Sequence, residues 1–254
     1  MKALRRFMLL LVVMLAIVAI VVATCPASFA WRFAAAKAGA LKLDGLSGTI
    51  WNGHAGSASV YATELGALDW QLSPLPLAHG VMAAQIELHG GEVTGSGAIE
   101  REPDGTLQIV GAVVHMPAGF AAPALDIPML QLLGQIDIDI AQLRVQGAWP
   151  TAAQGEIRWR NAAVAGAAQA PLGDLQAQFA TAADGSIAGT AHDLGGPLQL
   201  DGTFKISAGG YAVQAKLAAR DGNPQVLDAL RFIGQPQGDG STLLLIHGQF
   251  FKVL

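Results

Sequence analysis

The run Ile136-Asp137-Ile138-Asp139-Ile140 sets an isoleucine at every second position with an aspartate between each pair. Only an extended backbone puts all three isoleucines on one face and both carboxylates on the other, so this stretch is a strand with one wet side. The same period of two recurs at Gln85-Ile86-Glu87-Leu88, Leu143-Arg144-Val145-Gln146, Ile157-Arg158-Trp159-Arg160, Leu175 to Phe179, Leu198-Gln199-Leu200 and Tyr211 to Leu217. Turn signals punctuate these runs at Gly90-Gly91, Asp104-Gly105, Asp184-Gly185, Gly209-Gly210 and Asp239-Gly240. The spacing predicts about twelve strands joined as antiparallel hairpins and meanders, hence a mainly β fold built on a long, twisted, open antiparallel sheet. One later stretch keeps a helical interval instead. Pro224 to Ile233 spaces Val226, Leu227, Leu230 and Ile233 as a short amphipathic helix, with Asn223 to cap it and Gly234 to end it.

The N-terminus obeys a different rule. Lys2, Arg5 and Arg6 precede Phe7 to Cys25, an apolar run whose only semi-polar members are Thr24 and Cys25. As a helix, such a run is about as long as the ~30 Å of a bilayer's hydrocarbon, so it reads as a transmembrane segment. The cations hold the short end in the cytoplasm and send the rest across, and Trp31 falls where an indole suits the headgroup zone. Residues 1–30 are therefore expected to form a cytoplasmic tip and single-pass anchor, and 31–254 an exported β-rich domain. Ala30 to Ala40 can continue as helix along the membrane surface. Ser28-Phe29-Ala30 offers small residues for a signal peptidase, but the apolar run exceeds the ~7–15 residues of a signal peptide's hydrophobic region, which favours an uncleaved anchor. Val22-Ala23-Thr24-Cys25 fits a lipoprotein signal poorly because of Thr24.

Charge and composition exclude several classes of function. Three of the fifteen cations precede the span and none of the nineteen acids lies in the first thirty residues, which leaves twelve cations against nineteen acids, a net of −7, for the exported part. No basic excess is present to meet phosphates, so nucleic acid is not the expected partner. The lone Cys25 rules out an internal disulfide framework. His54, His79, His89, His115, His192 and His247 are scattered, no two at the spacing of ligands on one helix or finger, so a metal site could only be assembled by folding, and none is expected. Asp137 and Asp139 read as the solvent side of a strand, and Gly95-Ser96-Gly97 as a bulge or bend without the helix that a dinucleotide turn needs. No P-loop or nucleophile elbow occurs, so no catalytic residue and no cofactor is expected. Glycine, at 31 of 254 residues, suits bends and close packing in long sheets. Trp51, Trp70, Trp149 and Trp159 fall at or near strand-like runs, where packing is their first use and partner contact their second.

The two parts of the exported region, about 41–116 and 129–254, rhyme on either side of the proline-bearing connection Pro117 to Pro128. Gly48-Thr49-Ile50-Trp51, then Leu65-Gly66-Ala67-Leu68 and Trp70, is answered by Gly155 to Trp159, then Leu172-Gly173-Asp174-Leu175 and Phe179. Duplication of a sheet module accounts for the rhyme, as does chance in a chain so rich in glycine, alanine and leucine.

Taken in order, the short cytoplasmic end, the single span, Leu46-Ser47-Gly48-Thr49-Ile50-Trp51-Asn52-Gly53-His54-Ala55, then Leu65 to Leu72 leading to Pro74-Leu75-Pro76-Leu77, resemble protein N of the bacterial type II secretion system. Asp193-Leu194-Gly195-Gly196-Pro197-Leu198, and Ala219-Arg220 leading through Leu227 to Gly234, extend the likeness, which covers about residues 40–248. The resemblance implies a non-enzymatic Gram-negative inner-membrane protein with its bulk in the periplasm. Its implied partners are the inner-membrane platform proteins and the periplasmic part of the outer-membrane secretin. It also implies that Gly48, Trp51, Asn52, Gly53, Trp70, Pro74, Gly195, Gly196 and Pro197 are structural or partner-binding, beside Arg5, Arg6 and Trp31 at the membrane interface. The family's sheet is similar to the half-pipe of AsmA-like proteins, whose open apolar face would shelter an acyl chain, so a periplasmic lipid-binding or lipid-transfer protein is the alternative. An exposed sheet edge leaves room for self-association.

Overall fold

The computed structural model describes residues 23–61, 63–121, 130–147 and 149–248. Arg5, Arg6, most of the apolar run and most of the Pro117 to Pro128 connection lie outside them. Among the described residues no helix is long and apolar enough to cross a membrane. What they form is mainly β, and their contacts divide into two units, before and after Gly91.

In the first unit, helix α1 (Ala27–Ala34) and a 3-10 turn (Ala35–Lys37) lead into a meander of β1 (Leu41–Gly48), β2 (Asn52–Val60), β3 (Thr63–Ser73) and β4 (Met82–His89), paired antiparallel in chain order. A four-residue helix, α2 (Pro74–Leu77), with proline at its first position, joins β3 to β4. Among the described residues, the buried ones of this unit are small: Ala27, Gly53, Ala55, Ala58 and Ala83. Little apolar volume is sequestered here, so the backbone ladders and side-chain pairs on the faces carry much of the organisation.

The second unit is a longer meander: β5 (Thr94–Arg101), β6 (Leu107–Pro117), β7 (Leu130–Gln146), β8 (Trp149–Gly166), β9 (Ala170–Thr181), β10 (Ile187–Asp193), β11 (Leu198–Ser207) and β12 (Gly210–Ala219). The chain then leaves the sheet through α3 (Pro224–Leu230), makes the short β13 (Gln235–Pro236) at the outer edge, and returns as β14 (Thr242–Gly248) between β13 and β12. Fourteen strands form among the described residues, against the dozen predicted. β13 is too short to alternate, and β1 breaks its alternation at Gly45, where φ is 66°.

Alternation does what the sequence requires of it. Ile136 is buried and Ile138 half-buried on the inner face of β7, with Asp137 and Asp139 opposite. Leu143 and Val145 belong to the same strand and are out of phase with the isoleucines by one residue. The pairing with β8 slips between Ile140 and Gln142, and the extra residue at Ala141 restores the apolar side chains to one face. The β5–β6 pairing also slips at Gly97, but there the extra residue is on β6, where Gly111, at φ 60°, and Ala112 both face Gly97.

α3 closes the core. The Asn223 side chain accepts from the Gln225 and Val226 N–H groups and so satisfies two donors of the first turn. The helix sets Val226, Ala229 and Leu230 onto β9 and β12, among Leu172, Leu198, Ala215 and Leu217. Three loops on the strand ends share one construction. Asp104, Asp184 and Asp239 each accept the N–H two residues on, from Thr106, Ser186 and Ser241, with a glycine at positive φ between.

Candidate functional site

The first family segment builds the place where the chain enters the first unit. Gly48, at φ 77°, turns β1 toward Thr49, and a Cβ on it would sit 2.5 Å from the Asn52 carbonyl oxygen. The Asn52 N–H donates to Thr49 Oγ1 at 3.2 Å, and the Leu72 N–H donates to the Trp51 carbonyl at 2.7 Å. Trp70 lies across this turn: its indole Nε1 donates to the Ile50 carbonyl at 3.1 Å, and its ring occupies the space above Gly53, where a Cβ would come within 2.2 Å. On the other side of the turn, the Ile50 N–H donates to the Cys25 carbonyl at 3.0 Å and Pro26 bridges to Thr49. Gly48, Trp51, Asn52, Gly53 and Trp70 thus surround one turn, whose Thr49 and Ile50 hold Pro26 and Cys25 at the end of the apolar run. Pro74 stands apart at the start of α2. Trp31 is half-buried on α1, whose exposed Phe29 and Phe33 meet edge to face at 5.4 Å between ring centres.

The second segment is a clamp. Asp193, at the end of β10, accepts from the Gly195 N–H at 3.0 Å and the Leu200 N–H at 2.9 Å, which closes the Gly195-Gly196-Pro197 loop on itself. Arg220 reaches over from the end of β12, donates through Nε to the Gly196 carbonyl at 2.7 Å and pairs with the Asp193 carboxylate. Burial acts to raise the pKa of Asp193, and the Leu200 and Gly195 amides with the Arg220 guanidinium outweigh it, so the carboxyl sits below its usual range.

The two segments have common architecture. In β2-β3-β4, Gly53 faces Trp70 across the ladder, and Gly66 (φ 114°) lies against Gly91 so closely that a Cβ on Gly91 would meet the Leu65 carbonyl oxygen at 2.2 Å. In β8-β9-β10, Gly155 faces Phe179, and Gly173 (φ 93°) lies against Gly196, whose Cβ would meet the Leu172 carbonyl oxygen at 2.4 Å. Gly189 under Phe204 and Gly248 under Tyr211 repeat the aromatic-over-glycine pairing. An aromatic ring laid on a cross-strand glycine covers backbone that the glycine leaves bare.

Each unit carries a histidine–aspartate grouping that the scattered histidine positions do not reveal. His115 Nδ1 lies 2.6 Å from Asp137 Oδ1, and Arg160 pairs with the same carboxylate. Burial acts to raise the pKa of Asp137, and Arg160 and His115 overcome it, which keeps the group ionised and suited to ion pairing rather than proton donation. In the first unit, His54 and His89 both address Asp69. The hydrogen bonds from His89 and His54 hold the Asp69 carboxyl below its usual range. The signal for this grouping was the hairpin register that pairs His54 with Asp69. It is set by a tight connection with Tyr61 at φ 53°, a residue that carries no turn signature.

A family model described as "Type II secretion system (T2SS), protein N" matches residues 39–244. The type II secretion system protein N of Aeromonas hydrophila is 25% identical over 236 residues, which cover 88% of this chain and 90% of that protein. The protein of the same name from Vibrio cholerae serotype O1 is 29% identical over 145 residues, 54% of each chain. No solved structure gives a significant match. The matched span takes in both clusters described above, from Gly48 to Arg220, and the chain belongs to the type II secretion system protein N family.

Proposed function

We propose that the chain is a non-enzymatic, inner-membrane-anchored component of the type II secretion machinery, with its β units in the periplasm, where it assists export of folded proteins across the outer membrane. The observation that carries the anchored arrangement is the grip of the Gly48–Gly53 turn on Cys25 and Pro26. An apolar run that spans a bilayer would be fastened at its exit to the first strand pair, so that the sheet is held at a set place relative to the membrane. Exposed Phe29 and Phe33 on α1 suit the interfacial zone that such a position creates. Platform proteins and the periplasmic part of the secretin are the proposed partners, with the meander's free edge strands as ready surfaces for pairing. Deleting the gene should leave exported enzymes in the periplasm, and the wild-type chain but not one with Trp70→Ala should restore their release. Normal secretion in the deletion strain removes the reading.

A second reading rests on the apolar side of the second unit. Away from α3, the half-buried Ile140, Phe179, Phe204 and Val213 line the face opposite Asp139 and Glu156 without a covering layer among the described residues. Such a surface would accept an acyl chain. A photoreactive residue at Phe204 should then capture phospholipid in cells where one at Thr203, on the other face, does not; equal yields at both positions discard it.

We also propose that β2-β3-β4 and β8-β9-β10 descend from one duplicated module within the related halves 41–116 and 129–254. The shared order of glycine, positive-φ glycine, aromatic ring and contacting glycine supports this.

A further inference from the structure

His54, Asp69 and His89 come from three successive strands of the first unit. The pairing of His54 with Asp69 and of Asp69 with Glu87 puts these residues in one cross-strand row, and His89 follows Glu87 on the same face of β4. His54 Nδ1 lies 2.7 Å from Asp69 Oδ1 and His89 Nε2 lies 2.5 Å from Asp69 Oδ2. All three ligand atoms fall within 4.8 Å of one another, and the two imidazoles stand nearly parallel, inclined by 26° with ring centres 6.4 Å apart. The geometry points to a binding site for a divalent transition-metal ion of the zinc or copper type at His54, Asp69 and His89.

The donor set decides the class of ion. Two imidazole nitrogens and one carboxylate oxygen suit Zn2+ or Cu2+, whereas Mg2+ and Ca2+ ask for oxygen alone. Bonds of ~2.0–2.1 Å in a tetrahedral site set the ligand atoms about 3.3 Å apart. The two nitrogen–oxygen separations, 2.7 Å and 2.5 Å, fall short of that spacing by less than 1 Å, so modest side-chain rotations would admit the ion. Without metal each ring turns an N–H to the carboxylate; with it, the coordinating nitrogen presents its lone pair and the proton resides on the far nitrogen, His54 Nε2 or His89 Nδ1. Both histidines and Asp69 are close to half exposed, so water completes the coordination and the ion has a path in.

The second unit supplies a contrast. There Asp137 has a histidine on one side and the fixed charge of Arg160 on the other. Asp69 has a second imidazole where Asp137 has the guanidinium, and its row ends in another acid, Glu87. A carboxylate that meets two imidazoles beside a further acid attracts a divalent cation, while one that already holds arginine does not. Ligation would tie β2, β3 and β4 together in the unit whose buried members, among the described residues, are alanines and a glycine. The inference does not depend on the secretion role.

The full chain, purified in detergent and stripped with chelator, is to be titrated calorimetrically with Zn2+ and melted with and without it. The expected result is one Zn2+ per chain with a dissociation constant of about 1 μM or tighter, together with a raised melting temperature. His54→Gln and His89→Gln, which keep size and polarity, should each weaken binding on the order of a hundredfold and abolish the thermal shift. His115→Gln should leave both unchanged, and excess Mg2+ should not compete. Absence of binding up to about millimolar Zn2+, or undiminished binding in the His54→Gln/His89→Gln double variant, overturns the proposal.

Discussion

The Phe179 ring lies on Gly155, its direct partner across the β8–β9 ladder, so that a Cβ on Gly155 would sit 2.8 Å from Phe179 Cζ and 2.4 Å from the Asp139 carbonyl oxygen. The ring and the backbone of β7 close on this glycine from two sides. Replacing it with valine forces the strands apart or expels the ring from its rotamer. Gly155→Val is therefore expected to cost about 1–3 kcal/mol, read as a lower urea midpoint of unfolding. A midpoint equal to that of the wild type would show that the ring is not seated there.

The clamp at Asp193 makes a prediction about charge and one about pH. The Asp193 carboxylate is only 15% exposed, and removing Arg220 leaves it without its cation and the Gly196 carbonyl without its donor. Arg220→Ala should destabilise by about 2 kcal/mol, and Arg220→Lys should recover little, because a single ammonium does not reproduce the fork that reaches both groups. The folded-state pKa of Asp193 is depressed, so in acid the unfolded chain binds the proton first and stability rises with pH through that range. The contribution is fully present above the ordinary aspartate pKa of ~3.9 and is lost as pH falls through the folded value. Comparing urea midpoints at neutral pH and near pH 3 should give a smaller drop for Asp193→Asn than for the wild type, and an equal drop would assign the acid sensitivity elsewhere.

The late helix separates a cap from a core. Asn223 holds two amides of the first turn and is half-buried, whereas Val226 is the largest side chain that is fully buried among the described residues. Asn223→Ala should cost about 1 kcal/mol and Val226→Ala about 2 kcal/mol. Denaturant unfolding of the two variants settles the order; a larger loss at the cap would mean that α3 is held by its end and not by its apolar face.

How far the fold is legible in the sequence depends on whether its instructions are local. The Asp-Gly turns, the Ile136–Ile140 strand and the capped helix at Pro224 each depend on residues within a few positions, and the structure has them where the pattern puts them. Register is not local. Val60 pairs with Thr63 beside Tyr61, whose positive φ a tyrosine seldom adopts, so nothing marks the turn that brings His54 to Asp69. The bulge at Ala141 is likewise hidden, because what sets it is the need to keep Leu143 and Val145 on the inner face. The motif residues were visible as a likeness, but their joint action was not: Arg220 meets Asp193 and Gly196 only after β11 and β12 have carried it back.

Two glycine pairs permit a sharper test of the shared module. Gly90 and Gly195 have positive φ, 76° and 98°, with open space where a Cβ would go. Gly91 and Gly196, the next residues, have no such φ but would drive a Cβ into the Leu65 or Leu172 carbonyl oxygen, at 2.2 Å and 2.4 Å. Alanine at the first position of each pair strains only the backbone, by about 1–2 kcal/mol. Alanine at the second must displace a neighbouring strand whose ladder hydrogen bonds oppose the movement, and ought to cost more. If the modules are equivalent, the order Gly91→Ala worse than Gly90→Ala will be matched by Gly196→Ala worse than Gly195→Ala, in thermal melts of the full chain. An inverted order in one module alone would mean that its close glycine contact has a different purpose from that of its counterpart.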